Sequence, residues 1–229
     1  MPSLLDEGRS NSGSNAGGRD IERVAALLGA AATLLALGGI ALAVSLDPTF
    51  SWTTDALSDL GVRDRSAPAF NWGLIGGGAV GVCYAASLAL AGTEAHVDGA
   101  PGRVGRAVRT TLLALTMVAM AGVGRFDLTE PLHGPAAIGF YGLITLVFAV
   151  DGVLRRAEAT GRAALGFAVS HVAVWATFAA GWWPVTGLAL PELPGALMLA
   201  AWVWVIGPAP VVAAVRDRER ASQGPTDEH

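Results

Sequence analysis

Lysine is absent from this chain of 229 residues, and charged residues of all kinds make up only 15% of it. A soluble domain carries about 25% charged residues, so this deficit, together with a hydrophobic content of 52%, argues against a water-soluble fold. The same composition excludes a disordered chain, which combines high charge with little apolar surface. It also excludes a nucleic-acid-binding domain, which needs a concentrated basic surface.

Cysteine is nearly absent too, since Cys83 is the only one and it lies in an apolar segment. With a single thiol, no internal disulfide can form. The sequence also lacks His-x-x-x-His, Gly-x-Ser-x-Gly, Cys-x-x-Cys and P-loop motifs, and it has no arginine-rich helix of the voltage-sensor type. No motif therefore identifies a cofactor or a catalytic class.

The chain does have long uncharged stretches. Residues 24–46, 69–93, 134–150 and 163–191 contain no Asp, Glu or Arg, and a bilayer can cover stretches that a water-soluble fold cannot. A transmembrane helix needs about 20 mainly apolar residues, and six segments meet this condition. We predict an all-α polytopic membrane protein with spans at 24–46, 70–92, 107–126, 134–153, 163–186 and 193–215.

The arginines are divided unevenly between the two ends of these spans. Twelve lie on the side that holds both tails, whereas Arg63, Arg65 and Arg125 lie on the other side. Because positive charge is retained in the cytoplasm, we expect a multi-pass protein of the cell membrane with both termini cytoplasmic. The outer loops are then 47–69, about 127–133 and about 187–192.

Both ends of the chain are polar and lack apolar periodicity. The apolar run after residue 20 is longer than the roughly 7–15 residues of a signal peptide core, so we expect it to remain as a membrane span. We predict disordered cytoplasmic tails at 1–20 and 216–229, on either side of a six-helix membrane domain at 21–215.

The first outer loop has a helical pattern between residues 51 and 60. Trp52, Leu57 and Leu60 fall on one helical face, whereas Asp55 and Asp59 fall on the other. We therefore expect a short amphipathic outer helix near 51–60, which lies on the membrane surface or over the mouth of the bundle.

The second outer loop concentrates charge in a tight turn, and His133 opens the fourth span directly after it. An imidazole beside carboxylates can carry protons or bind a metal. The plainer interpretation is anchoring at the interface, with an ion pair from Arg125 to Asp127 or Glu130.

The loops after the first and third spans emerge on the same face, and sequential antiparallel helices are usually neighbours. We therefore expect the two loops to meet and their polar groups to converge, with Arg125 balancing the carboxylates. Such a cluster is either a structural latch or a binding or catalytic site. Its predicted members are Ser58, Asp59, Asn71, Arg125, Asp127 and His133.

Few ionisable residues lie inside the spans. His171 is a functional candidate on that ground alone, or else a neutral histidine bonded to a neighbouring helix. Asp151 and Arg155 have the spacing of an ordinary ion pair at a helix end. Arg109 lies near the end of its span, from which its side chain can reach the headgroups.

Glycines recur every four residues in the second span, at Gly73, Gly77 and Gly81. Small residues at this spacing let two helix backbones approach closely. Packing inside the bundle is the favoured interpretation, and a dimer interface is the alternative.

Two short segments resemble a known family. Leu57-Ser-Asp-Leu-Gly61, a spacer and then Phe70-Asn-Trp-Gly73 resemble the first signature of the membrane family catalogued as domain of unknown function 998. Gly122-Val-Gly-Arg-Phe-Asp127 followed by His133 is similar to its second, although Asp127 stands where that family usually has proline. The resemblance covers about 24–215. It implies six helices and a distant kinship with the DRAM/Sfk-type six-helix proteins, but no established activity.

The leading functional hypothesis is a non-catalytic protein that binds membrane lipid, another membrane protein or a second copy of itself through the outer cluster. The alternative is a metal- or His-assisted lipid hydrolase or transferase in which Asp59, Asp127 and His133 are the metal or acid–base residues. A small-solute carrier is the weaker alternative. No nucleic-acid partner is expected.

Overall fold

The structure is a computed structural model that describes residues 4–94 and 100–222. Within these residues the fold is all-α, and six helical segments are long and apolar enough to cross a membrane, as the sequence predicts. The helices are α1 (Leu4–Leu46), α2 (Ala67–Glu94), α3 (Ala100–Arg125), α4 (His133–Leu154), α5 (Ala159–Ala179), α6 (Ala189–Ala201) and α7 (Val211–Ser222), with a 3₁₀ helix at Leu57–Gly61 and a π-helical turn at Trp202–Ile206.

The helices extend into both segments predicted as disordered tails. α1 begins at Leu4, and α7 ends at Ser222. Residues 1–3 and 223–229 of the predicted tails lie outside the described residues. The division into two disordered tails and a membrane domain stays a prediction.

The bundle has two ends, which we name by what they carry. The loop face carries the connections 47–66, 126–132 and 180–188, and the tail face carries the connection 155–158 and the end of α7. Helices α1 to α5 each pack against the next one in sequence, and α6 with its π-helical turn packs back against α1, α4 and α5. The sixth span thus brings the end of the chain back to its beginning.

Glycines set the spacing between α1 and α2. A β-carbon added at Gly39 would lie 2.7 Å from the Cα of Gly73, and one added at Gly77 would lie 2.9 Å from the carbonyl oxygen of Ala32. At such distances the backbones themselves are in contact. The glycine stripe of the second span is therefore used for packing inside the bundle, which was the favoured interpretation.

The amphipathic helix of the first loop is shorter than predicted. Residues 52–54 form a turn, and only Leu57–Gly61 are helical, in the tighter 3₁₀ form. Asp55 and Asp59 therefore do not share the face of one continuous helix. The reason is that each carboxylate accepts a backbone N–H of its own turn, from Ser51 and Ala56 respectively.

The sixth span is interrupted just before Pro208 and Pro210, whose backbone nitrogens cannot donate a helical hydrogen bond. The α-helix gives way to the π-helical turn Trp202–Ile206, and the N–H of Gly207 donates to the carbonyl of Trp202 at 2.6 Å. α7 begins at Val211, directly after Pro210.

Candidate functional site

An ion network organises the first part of the loop face. Arg63 donates to Asp47 and to Asp55, each at 2.8 Å. Asp47 also accepts the N–H and hydroxyl of Thr49, at 2.9 and 2.6 Å. The guanidinium thus joins the end of α1 to the loop that follows it. No sequence pattern indicated that Arg63 and Asp47 are partners.

These contacts favour the ionised carboxylates. Hydrogen bonds from Thr49, and then from Arg63, lower the pKa of Asp47 to about 2. The pKa of Asp55 is lowered first by the backbone N–H of Ser51 and then by Arg63. The two aspartates in turn raise the pKa of Arg63, so the network is charged at neutral pH.

The first loop is fastened to the connection between α5 and α6. The carbonyl of Thr53 accepts the N–H groups of Thr186 and Gly187 at 3.0 Å, and the carbonyl of Asp55 accepts that of Ala189 at 2.9 Å. The carboxylate of Glu192, near the start of α6, accepts the N–H of Leu57 at 2.8 Å. A latch was predicted between the first and second loops. The hydrogen bonds described here instead join the first loop to the α5–α6 connection and the start of α6.

His133 is held by the second loop through one ring nitrogen. Its Nδ1 lies 2.7 Å from the carbonyl oxygen of Phe126. Because a carbonyl can only accept a hydrogen bond, Nδ1 carries the proton, and in the neutral form of the ring Nε2 keeps an acceptor lone pair. His133 is buried and lines a pocket inside the bundle.

The charged side chains of the second loop bond to residues of the same loop. Arg125 pairs with Glu130 at 3.4 Å, the second of the two predicted pairings, and its guanidinium lies over the ring of Phe126. Asp127 accepts the N–H of Thr129 at 2.8 Å. The hydroxyl and the N–H of Thr129, and then the nearby His133, lower the pKa of Asp127.

The interior pocket runs along the bundle between α1, α2, α3, α4 and α6. It contains about 840 Å³ of free space, including solvent at its mouth, but it is narrow, because the centres of water molecules can occupy only about 70 Å³ of it. Since one water needs roughly 10–15 Å³ on that measure, the space suits a few waters or a slender chain. Ser58, His133 and Glu192 line it at the loop face, Tyr84 lines it towards the tail face, and most of the remaining wall is apolar.

Asn71 joins the first loop to the bundle. Its Nδ2 donates to the carbonyl of Gly61 at 3.0 Å, whereas its Oδ1 is buried without a hydrogen-bond partner among the described residues. A β-carbon added at Gly124 of α3 would lie 2.6 Å from the Asn71 carbonyl oxygen. Asn71 therefore lies where α2, α3 and the first loop meet.

The structure brings only part of the predicted cluster together. Ser58 and His133 line one pocket, but Asp59 is hydrogen-bonded to Ala56, and Asp127 to Thr129. Arg125 pairs with neither aspartate.

Sequence reasoning missed Glu192, because it precedes the predicted start of the sixth span at residue 193 and was assigned to a loop. The only available signal was a carboxylate between Pro191 and Pro194 at a helix start.

No group of three or more His, Cys, Asp or Glu side chains in the described part of the chain is placed to hold a metal ion. The three residues of the metal- or acid-base alternative, Asp59, Asp127 and His133, are each bonded within their own segments. This arrangement does not favour the hydrolase or transferase.

A buried ion cluster lies near the tail face. Asp151 is fully buried and accepts hydrogen bonds from Arg109 at 2.9 Å, from Trp202 at 2.8 Å and from Arg155. Arg155 also donates to the carbonyl of Ile206 at 2.7 Å. The predicted pair between Asp151 and Arg155 is present, but it is part of a larger buried cluster that also includes Arg109 of α3 and Trp202. The prediction that Arg109 reaches the headgroups is wrong, because Asp151 is its buried partner on α4.

His171 is fully buried, and both of its ring nitrogens are bonded. Trp175 donates to Nε2 at 3.2 Å, so Nδ1 carries the proton and donates to Thr145 Oγ1 at 2.8 Å. Its hydrogen bonds join α5 to α4, and its ring packs against Gly195 of α6. His171 is therefore a neutral histidine bonded to a neighbouring helix, which was one of its two predicted roles.

Residues 30–209 match the family described as Protein of unknown function (DUF998). The matched range includes all of α2, α3, α4, α5 and α6 and the loop-face residues described above. No curated protein and no solved structure matches the chain. Kinship with the DRAM/Sfk-type proteins stays a prediction.

Proposed function

The chain belongs to the DUF998 family of membrane proteins of unknown function, and we propose that it binds an amphiphilic lipid in its interior pocket. The apolar chain of the lipid lies between α1, α2, α3, α4 and α6. Its polar head lies at the loop face, beside Ser58, His133 and Glu192. The observation that carries this proposal is the pocket, with apolar walls and a cluster of polar side chains at the loop face.

The length of the pocket fits a hydrocarbon chain. On α2 its lining extends from Phe70 to Tyr84, which is roughly 21 Å at 1.5 Å per residue. The hydrocarbon core of a bilayer is about 30 Å thick, so the pocket is longer than one leaflet. A single extended chain fits this narrow space better than a ligand with several chains or rings.

The polar end favours a head that donates hydrogen bonds. His133 presents the bare Nε2, and only one oxygen of Glu192 accepts from Leu57. No arginine is among the described residues that line the pocket, so a phosphate there would lack a counter-charge. A hydroxyl- or amine-bearing single-chain lipid is the ligand class that these side chains support.

We further propose that the protein lies in the cell membrane with its tail face in the cytoplasm. The support is the excess of arginines at that end of the bundle. The head of the bound lipid then lies at the outer surface.

Purification of the full chain in a mild detergent, followed by native mass spectrometry, tests the proposal. We expect one single-chain lipid per protein, lost on collisional activation. Ala200→Phe fills the pocket, because Ala200 lines it, and should abolish the lipid adduct. Ala31→Phe makes the same change on the exposed side of α1 and should leave the adduct intact.

Two results would contradict the proposal. One is the same lipid content in both variants, which would place the lipid on the outer surface of the bundle. The other is a wild-type protein that carries no lipid while its pocket exchanges water freely, which would favour the small-solute carrier.

A further inference from the structure

A second groove lies between α1 and α7 near the tail face, and it shares no lining residue with the interior pocket. It has about 910 Å³ of free space, including its open side. Its floor is apolar, and two arginines from different helices stand beside it. The lining residues are Arg23, Ala26, Leu27, Val211, Ala214, Val215 and Arg218.

The arginines lie where the helices leave the apolar part of the membrane. Arg23 is near the start of the first span at Asp20, and Arg218 is near the end of the last span at Arg220. The apolar floor lies towards the membrane interior from both of them. The groove therefore has a cationic end at headgroup level and an apolar end at acyl-chain level.

Neither arginine is fully neutralised by the protein. Arg23 lies 3.6 Å from Asp20, and both side chains are more than half exposed, so that pair is weak. Arg218 makes no ion pair with the part of the chain that the structure describes. An anionic group between the two arginines would gain charge-assisted hydrogen bonds of the kind that guanidinium groups make with phosphate.

We propose that this groove binds an acidic phospholipid, with its phosphate between Arg23 and Arg218 and one acyl chain against Leu27 and Val215. The apolar floor distinguishes a lipid from free phosphate, because only a lipid has a chain to place on it. The site is independent of the interior pocket and differs from it in charge, since the pocket lacks arginine and the groove has two.

The test is competition on the full-length protein, by native mass spectrometry with equal amounts of phosphatidylglycerol and phosphatidylcholine. Because two guanidinium groups attract a headgroup with a net negative charge, we expect a preference of roughly tenfold or more for phosphatidylglycerol. The double variant Arg23→Gln/Arg218→Gln should lose this preference. Arg156→Gln/Arg220→Gln removes the same charge from exposed residues that do not line the groove, and it should keep the preference.

Ala214→Trp fills the groove while both arginines remain, so it should also reduce phosphatidylglycerol binding. Equal losses in the two arginine double variants would overturn the proposal in favour of a general surface potential. Equal competition by glycerol phosphate would show an anion site that does not use the apolar floor. If the groove variants bind phosphatidylglycerol as the wild type does, the groove proposal is overturned. The proposal for the interior pocket is unaffected, because the two sites share no lining residue.

Discussion

The two histidines among the described residues differ in which ring nitrogens are free to bond another molecule. His171 uses both nitrogens, one towards Thr145 and one towards Trp175. His133 uses only Nδ1, towards Phe126. His133 is therefore the imidazole that can accept a hydrogen bond from a molecule in the interior pocket, whereas His171 joins helices.

The hydrogen bonds that Asp47 accepts from Thr49 and then from Arg63 should give the loop face a measurable pH dependence. The pKa of Asp47 is lowered from its ordinary value of 3.8 to about 2. The stabilisation is therefore complete above about pH 4 and is lost as the pH falls towards 2. We expect Arg63→Gln to lower the melting temperature at pH 6 and to reduce the fall in melting temperature between pH 4 and pH 2. Fluorescence-monitored unfolding in detergent measures both.

Arg65→Gln is the matched control, because Arg65 is exposed and forms no ion pair within the described residues. It should follow the wild-type profile. If the melting temperatures of Arg63→Gln and the wild type depend on pH in the same way, the hydrogen bonds from Thr49 alone keep Asp47 ionised.

Asp151→Asn should be among the most destabilising single changes in the chain. It leaves the buried Arg109 and the partly buried Arg155 without their shared anion, and breaking a buried pair costs about 3–5 kcal/mol. Glu158→Gln removes a carboxylate from the exposed side of the same network, where the side chain is 56% exposed, and it should cost less than about 1 kcal/mol. Chemical unfolding in mixed micelles compares the two, and equal effects would show that Asp151 is not the centre of the cluster.

At the scale of elements, the contact between α1 and α2 depends on the absence of side chains. Gly39→Ala places a β-carbon 2.7 Å from the Cα of Gly73, so the helices must separate. We expect a loss of about 1–3 kcal/mol, as for other overpacked interiors. The measurement is thermal unfolding of the purified variant.

Gly38→Ala makes the same chemical change one residue earlier, where a β-carbon meets nothing within 4 Å in the described chain. Alanine is favoured over glycine in a helix by about 1 kcal/mol, so this variant should be as stable as the wild type or more stable. Destabilisation of both variants to the same extent would show that α1 tolerates no added methyl group at all.

The helical spans were predictable because each depends on a local property, a run of apolar residues long enough to cross a bilayer. The loop helix was predicted too long, because a helical pattern in sequence does not reveal that Asp55 and Asp59 bond to the backbone of their own turns. Long-range partners were hidden for a different reason. Sequence spacing connects Asp151 with Arg155, but it gives no sign of Arg109, 42 residues away, or of Trp202, 51 residues away.

At the scale of the whole molecule, the orientation is testable by cysteine labelling in a Cys83→Ser background. Asp64 and Glu158 are exposed at opposite ends of the bundle. In intact cells we expect Asp64→Cys to react with a membrane-impermeant maleimide and Glu158→Cys to react only after permeabilisation. The reverse pattern would place the tail face outside and would reverse the proposed position of the lipid head.

The hydrogen bond from Leu57 to Glu192 joins residues 135 positions apart, and this has a consequence for synthesis. At about 5–20 residues per second, the ribosome needs roughly 7–27 s to make the intervening chain. During that interval the first loop has been synthesised, but its partner near the start of α6 does not yet exist. The hydrogen bond between Leu57 and Glu192 therefore cannot form until the start of α6 has been synthesised. The first loop is one of the first parts of the chain to be made and one of the last to complete its contacts.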